Sequence, residues 1–199
     1  MTSTDIARAN VEAFNTGTQL PVQRKKASMS VTTARVVRPA DGKAGFLGSI
    51  GVRFMIDGPE AGDRFSVVEH PMSPRALAAP LHRHHNEDEY SFVIEGRMGA
   101  LLGDEHLEAG PGDLVHKPRG QWHTFWNAGE ERCRILEIIS PAGFERFFAE
   151  LVDLGGVAQA GPDQLRELCQ RFALDMDPDS VPDLIQRFGV RFPAKPLAP

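Results

Sequence analysis

The sequence predicts an all-β core, a sandwich or barrel, with helical segments at both ends. Three observations carry this. Between residues 31 and 141, short β-branched or alternating runs recur at near-regular spacing. Gly or Pro bounds these runs, as at Asp57-Gly58-Pro59 and Ala61-Gly62-Asp63. Outside that region the apolar residues take up the period of a helix instead.

Taken in order, Asp5 to Phe14 carries Ile6, Ala9, Ala13 and Phe14 and stops before Asn15-Thr16-Gly17, which suits a short helix. Residues Thr16 to Ser30 read as a linker or as an arm crossing to a partner subunit. Strands are expected over Val31–Arg38, Gly45–Asp57, Arg64–Pro71, Tyr90–Glu95, Arg97–Leu102, Glu105–Leu107, Asp113–His116, His123–Asn127 and Arg132–Ile139. Gly96 marks a tight turn between two of them. No internal repeat is visible, so a single barrel is expected. Ser140-Pro141 reads as a helix start, followed by Phe144, Phe147, Phe148, Leu151 and Leu154 at helical spacing and a stop at Gly155. A second helix is expected from Pro162 to about Leu174 and a third from Ser180 to Phe188, ahead of Gly189. Their stripes suit packing against an open face of the barrel or against a dimer partner. From Pro193 the tail is Pro-rich and expected to be extended. The organisation is therefore an N-terminal helix and arm over 1–30, a barrel over 31–141, and a helical extension over 142–199.

A chain of 199 residues fits one domain. At that size folding removes roughly 70% of the unfolded surface from water, enough for a core without disulfide staples. The net charge of −5 offers no basic face to nucleic acid. Arg24-Lys25-Lys26, the one basic cluster, reads as a solvated linker. Cys133 and Cys169 lack Cys-x-x-Cys spacing, so no disulfide scaffold is indicated. The polar N-terminus has no apolar signal core, and no apolar run approaches membrane-spanning length. The expectation is a cytoplasmic protein without a membrane partner.

Two stretches bear chemistry. His82, His84, Glu89 and Gly96 form His-x-His-x4-Glu-x6-Gly, and Gly112, Pro118, Gly120, His123 and Asn127 form Gly-x5-Pro-x-Gly-x2-His-x3-Asn. Alternate residues of a strand share a face, so His82 and His84 can enter one cavity while Arg83 points away. A turn of four residues then returns Glu89 toward the imidazoles, and His123 arrives from a distant strand. Three imidazoles and one carboxylate suit one divalent transition-metal ion (Fe, Ni, Mn, Cu, Co or Zn) rather than Ca or Mg. The alternative is that His82 to Tyr90 is merely a solvated acidic turn. His85 has the wrong parity to join the set, and Glu87 is ambiguous.

Parity nominates the pocket walls. With Glu89 inward, Ser91 and Val93 follow; with His123 inward, Gln121 and Phe125 follow. These four are the candidate substrate-binding residues, a mostly apolar lining with a few polar anchors. If the Cys133–Ile139 face that includes Glu137 is inward, Glu137 becomes a second carboxylate near the metal and a candidate general base. Otherwise it pairs with Arg132 or Arg134. His70 is read as structural, although it could reach the cavity mouth, and His106 and His116 as turn or outer-face residues. Cys133 lacks a base partner for thiol chemistry. Arg119 and Gly120 shape the turn that aims His123.

At these motifs the sequence resembles the cupin superfamily, matching both signatures at every position. The resemblance covers about residues 31–141. It implies an antiparallel jelly-roll barrel, the double-stranded β-helix, with His82, His84, Glu89 and His123 as metal ligands and a homodimer as the assembly. The superfamily hosts many chemistries, so function inferred from the fold alone is analogy. The leading expectation is a metal-dependent dioxygenase that looks like the quercetin dioxygenases and acts on a small enol, diketone or flavonol-like substrate. Glu89 would then serve as ligand and, rotated off the ion, as base. An oxygen-independent isomerase or lyase using the ion as Lewis acid is the alternative. A third reading, a non-catalytic small-ligand sensor, lacks any DNA-binding helix pair in the sequence.

Overall fold

The computed structural model describes residues 33–193. The helix expected over 5–14 and the arm over 16–30 lie outside the described residues, as does the tail beyond 193.

Two antiparallel sheets face each other as a jelly roll. The first orders its strands β1 (Ala44–Phe46), β2 (Gly51–Ile56), β3 (Ser66–Met72), β10 (Cys133–Ser140), β5 (Asp88–Glu95) and β8 (Leu114–Lys117). The second orders β11 (Leu174–Asp177), β4 (Leu81–His84), β9 (His123–Asn127), β6 (Met98–Leu102) and β7 (Glu105–Ala109). The period-two pattern is plainest in β10, where Cys133, Ile135, Glu137 and Ile139 are buried and Arg134, Leu136, Ile138 and Ser140 are half-buried on the other face. Between the sheets Val68, Met72, Val93, Met98, Phe125 and Ile135 pack in one core. Burying an aliphatic or aromatic side chain of this kind stabilises by about 1.5–3 kcal/mol.

Several boundaries differ from expectation for local reasons. The long run Gly45–Asp57 splits into β1 and β2, because Leu47 N–H bonds the Ile50 carbonyl at 2.9 Å and turns the chain back. Thr33–Arg38 forms no strand. The first C-terminal helix, α1, spans Glu145–Asp153 rather than starting at Pro141. Gly143 has φ 135°, and the Glu145 carboxylate accepts the Gly143 N–H at 2.6 Å, so the preceding residues form a capping turn. α2 spans Pro162–Arg171, and the residues expected as its last turn lead into β11 instead. β11 pairs with β4 along its whole length, so the extension adds a strand to the sheet as well as helices. α3 spans Val181–Phe188. Its Leu184 and Phe188 pack on Leu77, Leu101 and Trp126, which is why β9 and β6 are buried on both faces.

Gly96 closes the β5–β6 turn with φ 78°, a region costly for side chains, and a Cβ there would collide with the Arg132 carbonyl. No described helix is long and apolar enough to cross a membrane.

Candidate metal centre

β4 contributes His82 and His84 from the second sheet, β9 contributes His123 from the same sheet, and β5 contributes Glu89 from the first. The turn His85–Glu87 therefore carries the chain across the barrel. One donor atom from each of these four buried residues lies within 4.8 Å of every other. Two donors at about 2.1 Å on opposite sides of an ion would sit about 4.2 Å apart, so the cluster is close to the span an ion sets.

The imidazoles are held ring by ring. His82 Nδ1 donates to the Pro80 carbonyl at 2.9 Å and His123 Nδ1 to the Gln121 carbonyl at 2.9 Å. Because a carbonyl only accepts, the proton sits on Nδ1 and each Nε2 keeps its lone pair. His84 Nδ1 instead faces Glu87 Oε2 at 3.8 Å. Its Nε2 lies 3.5 Å from Glu89 Oε1, and His123 Nε2 lies 3.3 Å from Glu89 Oε2. Both Nε2 atoms are buried without a hydrogen-bond partner. Buried polar atoms rarely stay unpaired, so a group of converging lone pairs fits a cation.

Electrostatics points the same way. Burial holds His82 well below the usual imidazole range and His84 down to about 4, keeping both neutral as ligands require. Burial alone would raise Glu89, but Lys117, His84 and His123 overrule it and hold it well below the usual carboxylate range. Glu87, buried beside Glu89, is pushed up to about 7 by burial and then by that neighbour.

A second carboxylate stands beside the cluster. Glu137 is 1% exposed, and its Oε2 accepts from Lys117 Nζ at 2.9 Å and Ser91 Oγ at 2.8 Å. Its Oε1 is buried without a partner. Burial pushes this carboxyl up to about 7, with Lys117 opposing. Lys117 also lies 2.8 Å from Glu89 Oε2 and rests over the Phe125 ring at 4.4 Å.

These groups meet a cavity of about 370 Å³. His82, Glu89 and Glu137 line one part; Phe125, Phe144, Phe147, Phe148 and Leu151 line much of the rest. α1, α2 and β11 supply walls through Leu151, Leu165 and Met176, so the C-terminal extension helps to build the pocket.

The nominated wall residues have separate fates. Phe125 lines the cavity. Ser91 is fully buried but is engaged by Glu137, and Val93 belongs to the core between the sheets. Gln121 reaches the site through its backbone carbonyl on His123. Glu137 faces inward and meets neither Arg132 nor Arg134, its partners being Lys117 and Ser91. His70, read as structural, bonds Gly51 through Nδ1 and also lines the cavity. His85 points outward onto Asp175, while His116 stacks on Tyr90. Burial raises the Cys133 thiol to about 12, far from a thiolate. Arg119 pairs with Asp88 beside the turn at Gly120.

Sequence reasoning missed Lys117. A lysine before Pro118 reads as a strand end in solvent, yet it shares parity with buried Val115. An inward Glu137 needed a counter-charge, and that was the available signal.

A family model described as a cupin domain matches residues 69–139. Among solved structures, the polyketide cyclase RemF from Streptomyces resistomycificus is 31% identical, with 54% of this chain and 80% of that one covered at a TM-score of 0.48. KdgF from Halomonas sp. is 16% identical, covering 57% of this chain and 99% of that one at a TM-score of 0.51. A predicted oxalate decarboxylase from Thermotoga maritima is 16% identical, covering 54% and 99% at a TM-score of 0.50. No curated protein matches the chain.

Proposed function

The chain belongs to the cupin superfamily, and from that premise we propose that it is a metal-dependent enzyme acting on a small, largely apolar, ring-bearing substrate with an enol or phenol hydroxyl. The observation that carries this is one cavity lined by two of the four clustered donors, His82 and Glu89, and by phenylalanine walls. His82, His84, Glu89 and His123 would hold one divalent transition-metal ion. When bound, that ion supplies Lewis acidity and, if redox-active, access to dioxygen.

The chain's own residues do the rest. Phe144 and Phe147 stack face to face, Phe148 meets both edge to face, and together they present ring faces and edges to a flat apolar substrate. The same walls exclude water, which strengthens every charge interaction inside. Glu137 Oε1, buried without a partner, is the acceptor for a substrate hydroxyl proton. His70 donates through Nδ1 to Gly51 at 2.9 Å, so its Nε2 is a second acceptor in the lining. Acceptors in an apolar pocket favour a ligand that donates.

Dioxygenation of an enol or phenol, with both atoms of dioxygen entering the product, is the leading reaction. An apolar pocket beside residues that would hold a metal ion supports it. Oxygen-independent isomerisation or lyase chemistry is the second reading, favoured by Glu137 in the wall with Lys117 paired behind it. Iron-, nickel- or manganese-loaded protein should be offered flavonols, β-diketones and acireductones in an oxygen electrode. Oxygen consumption matched to substrate loss supports the first reading. Equal turnover without oxygen selects the second, and no turnover with any of the three metals counts against both.

A further inference from the structure

Glu89 and Lys117 are direct register partners across β5 and β8, and Ser91 stands opposite Glu137 across β5 and β10. Strand pairing alone thus brings two carboxylates, an ammonium and a hydroxyl together in the barrel wall. Lys117 is fully buried, so it cannot exchange these partners for water. Its Nζ takes one oxygen from each carboxylate: Glu89 Oε2 at 2.8 Å and Glu137 Oε2 at 2.9 Å. Ser91 takes the same oxygen of Glu137 at 2.8 Å. A lysine held this way is a costly choice in a core, since a buried charge must be fully paired to be tolerated. An apolar residue would fill the space above Phe125 without that demand.

We infer that Lys117 is the positioning residue of the site, dividing two neighbouring carboxylates between two tasks. Resting on the metal reading above, its ion pair with Glu89 Oε2 disfavours that oxygen as a second ligand, so that Glu89 offers an ion one oxygen. By engaging Glu137 Oε2 together with Ser91, it also leaves Oε1 as the one oxygen of Glu137 open to a ligand hydroxyl. Without Lys117, Glu89 is free to present both oxygens to the ion, while Glu137, held by Ser91 alone, is no longer fixed with Oε1 toward a ligand.

Cobalt(II) absorption tests the first task, because its visible bands respond to coordination number. Equilibrium dialysis with 1-naphthol against 1-methoxynaphthalene tests the second, since the two differ in one donated hydrogen. Wild type should bind Co2+ and prefer the naphthol by roughly tenfold or more, the discrimination of one hydrogen bond to a charged group. Glu137→Gln should keep the wild-type cobalt spectrum and lose most of that preference. Lys117→Met should bind Co2+ with weaker bands, as an added oxygen enters the shell, and should also lose the preference. Because Lys117→Met leaves Glu137 without its counter-charge, Lys117→Met/Glu137→Gln provides a variant without the stranded charge, and its cobalt bands should weaken likewise. A wild-type spectrum in both Lys117 variants would overturn the inference while leaving the metal site intact. Absence of Co2+ uptake by the wild type would overturn the metal reading itself, and this inference with it.

Discussion

His82 and His123 face each other across β4 and β9 as register partners, with ring centroids 4.4 Å apart. Each ring donates through Nδ1 to the carbonyl two residues before it. The pair is therefore placed by backbone pairing and locked by backbone carbonyls, with little freedom left to lose on binding an ion. A site so prepared should couple metal binding to stability. Treatment with a chelator should lower the melting temperature, and readdition of the metal should restore it. At a free metal concentration of 100 times Kd the gain is about 2.7 kcal/mol. His82→Ala should melt at one temperature with or without metal. A chelator-insensitive wild type would contradict the coupling.

Acid should destabilise the metal-free protein well above the carboxylate range. Burial holds His70 down to about 4 from the ordinary 6.5. Between those values the unfolded chain carries a proton on this ring and the folded chain does not, so stability rises with pH there. His70 therefore contributes nothing unfavourable above about pH 6.5 and a growing penalty as pH falls toward 4. For this fully buried ring the penalty reaches about 3 kcal/mol. His70→Gln should make that part of the curve shallower in denaturant titrations of metal-free protein at pH 7, 6, 5 and 4, with His82 and His84 supplying the slope that remains. Parallel curves for wild type and variant would show that His70 is not the titrating group.

Glu137→Gln separates proton handling from metal binding. Glu137 lies outside the four-donor cluster, so the variant should retain its metal. Loss of a positioned base lowers kcat by about 10²- to 10⁴-fold. Steady-state kinetics on whichever substrate supports turnover, with metal content measured alongside, checks both halves. An unchanged kcat would remove Glu137 from the chemistry.

How much of this was legible in the sequence depends on which physical rule set each feature. The four donors were readable because strand parity, a short turn and a second motif are local facts, and β4, β5 and β9 obey them. The inward face of β10 was readable only as one of two phases; the Val68↔Glu137 and Ser91↔Glu137 pairings decide it. Lys117 was hidden because its partners lie on two other strands, and nothing near residue 117 announces them. β11 was hidden because Leu174–Asp177 is strand only by pairing with β4. Cavity walls from α1 and α2 likewise depend on packing that no short window encodes.

Phe144 links the helical extension to the site. It is 2% exposed, lines the cavity and meets the His84 ring edge to face at 4.3 Å. Phe144→Ala should cost about 3 kcal/mol, near the low end for such truncations because one side of the ring already faces open space. The enlarged pocket should accept bulkier ring ligands than wild type. Denaturant unfolding and dialysis with 1-naphthol and larger naphthols test the two effects. Unchanged stability together with unchanged ligand size selection would place Phe144 outside the wall.

Metal content per chain is the most direct test of the whole account. Wild-type protein equilibrated with a divalent transition metal and freed of excess should carry close to one ion per chain by elemental analysis. His123→Ala, folded by circular dichroism and treated identically, should carry almost none. A His123→Ala protein with the wild-type ion content would contradict the central claim.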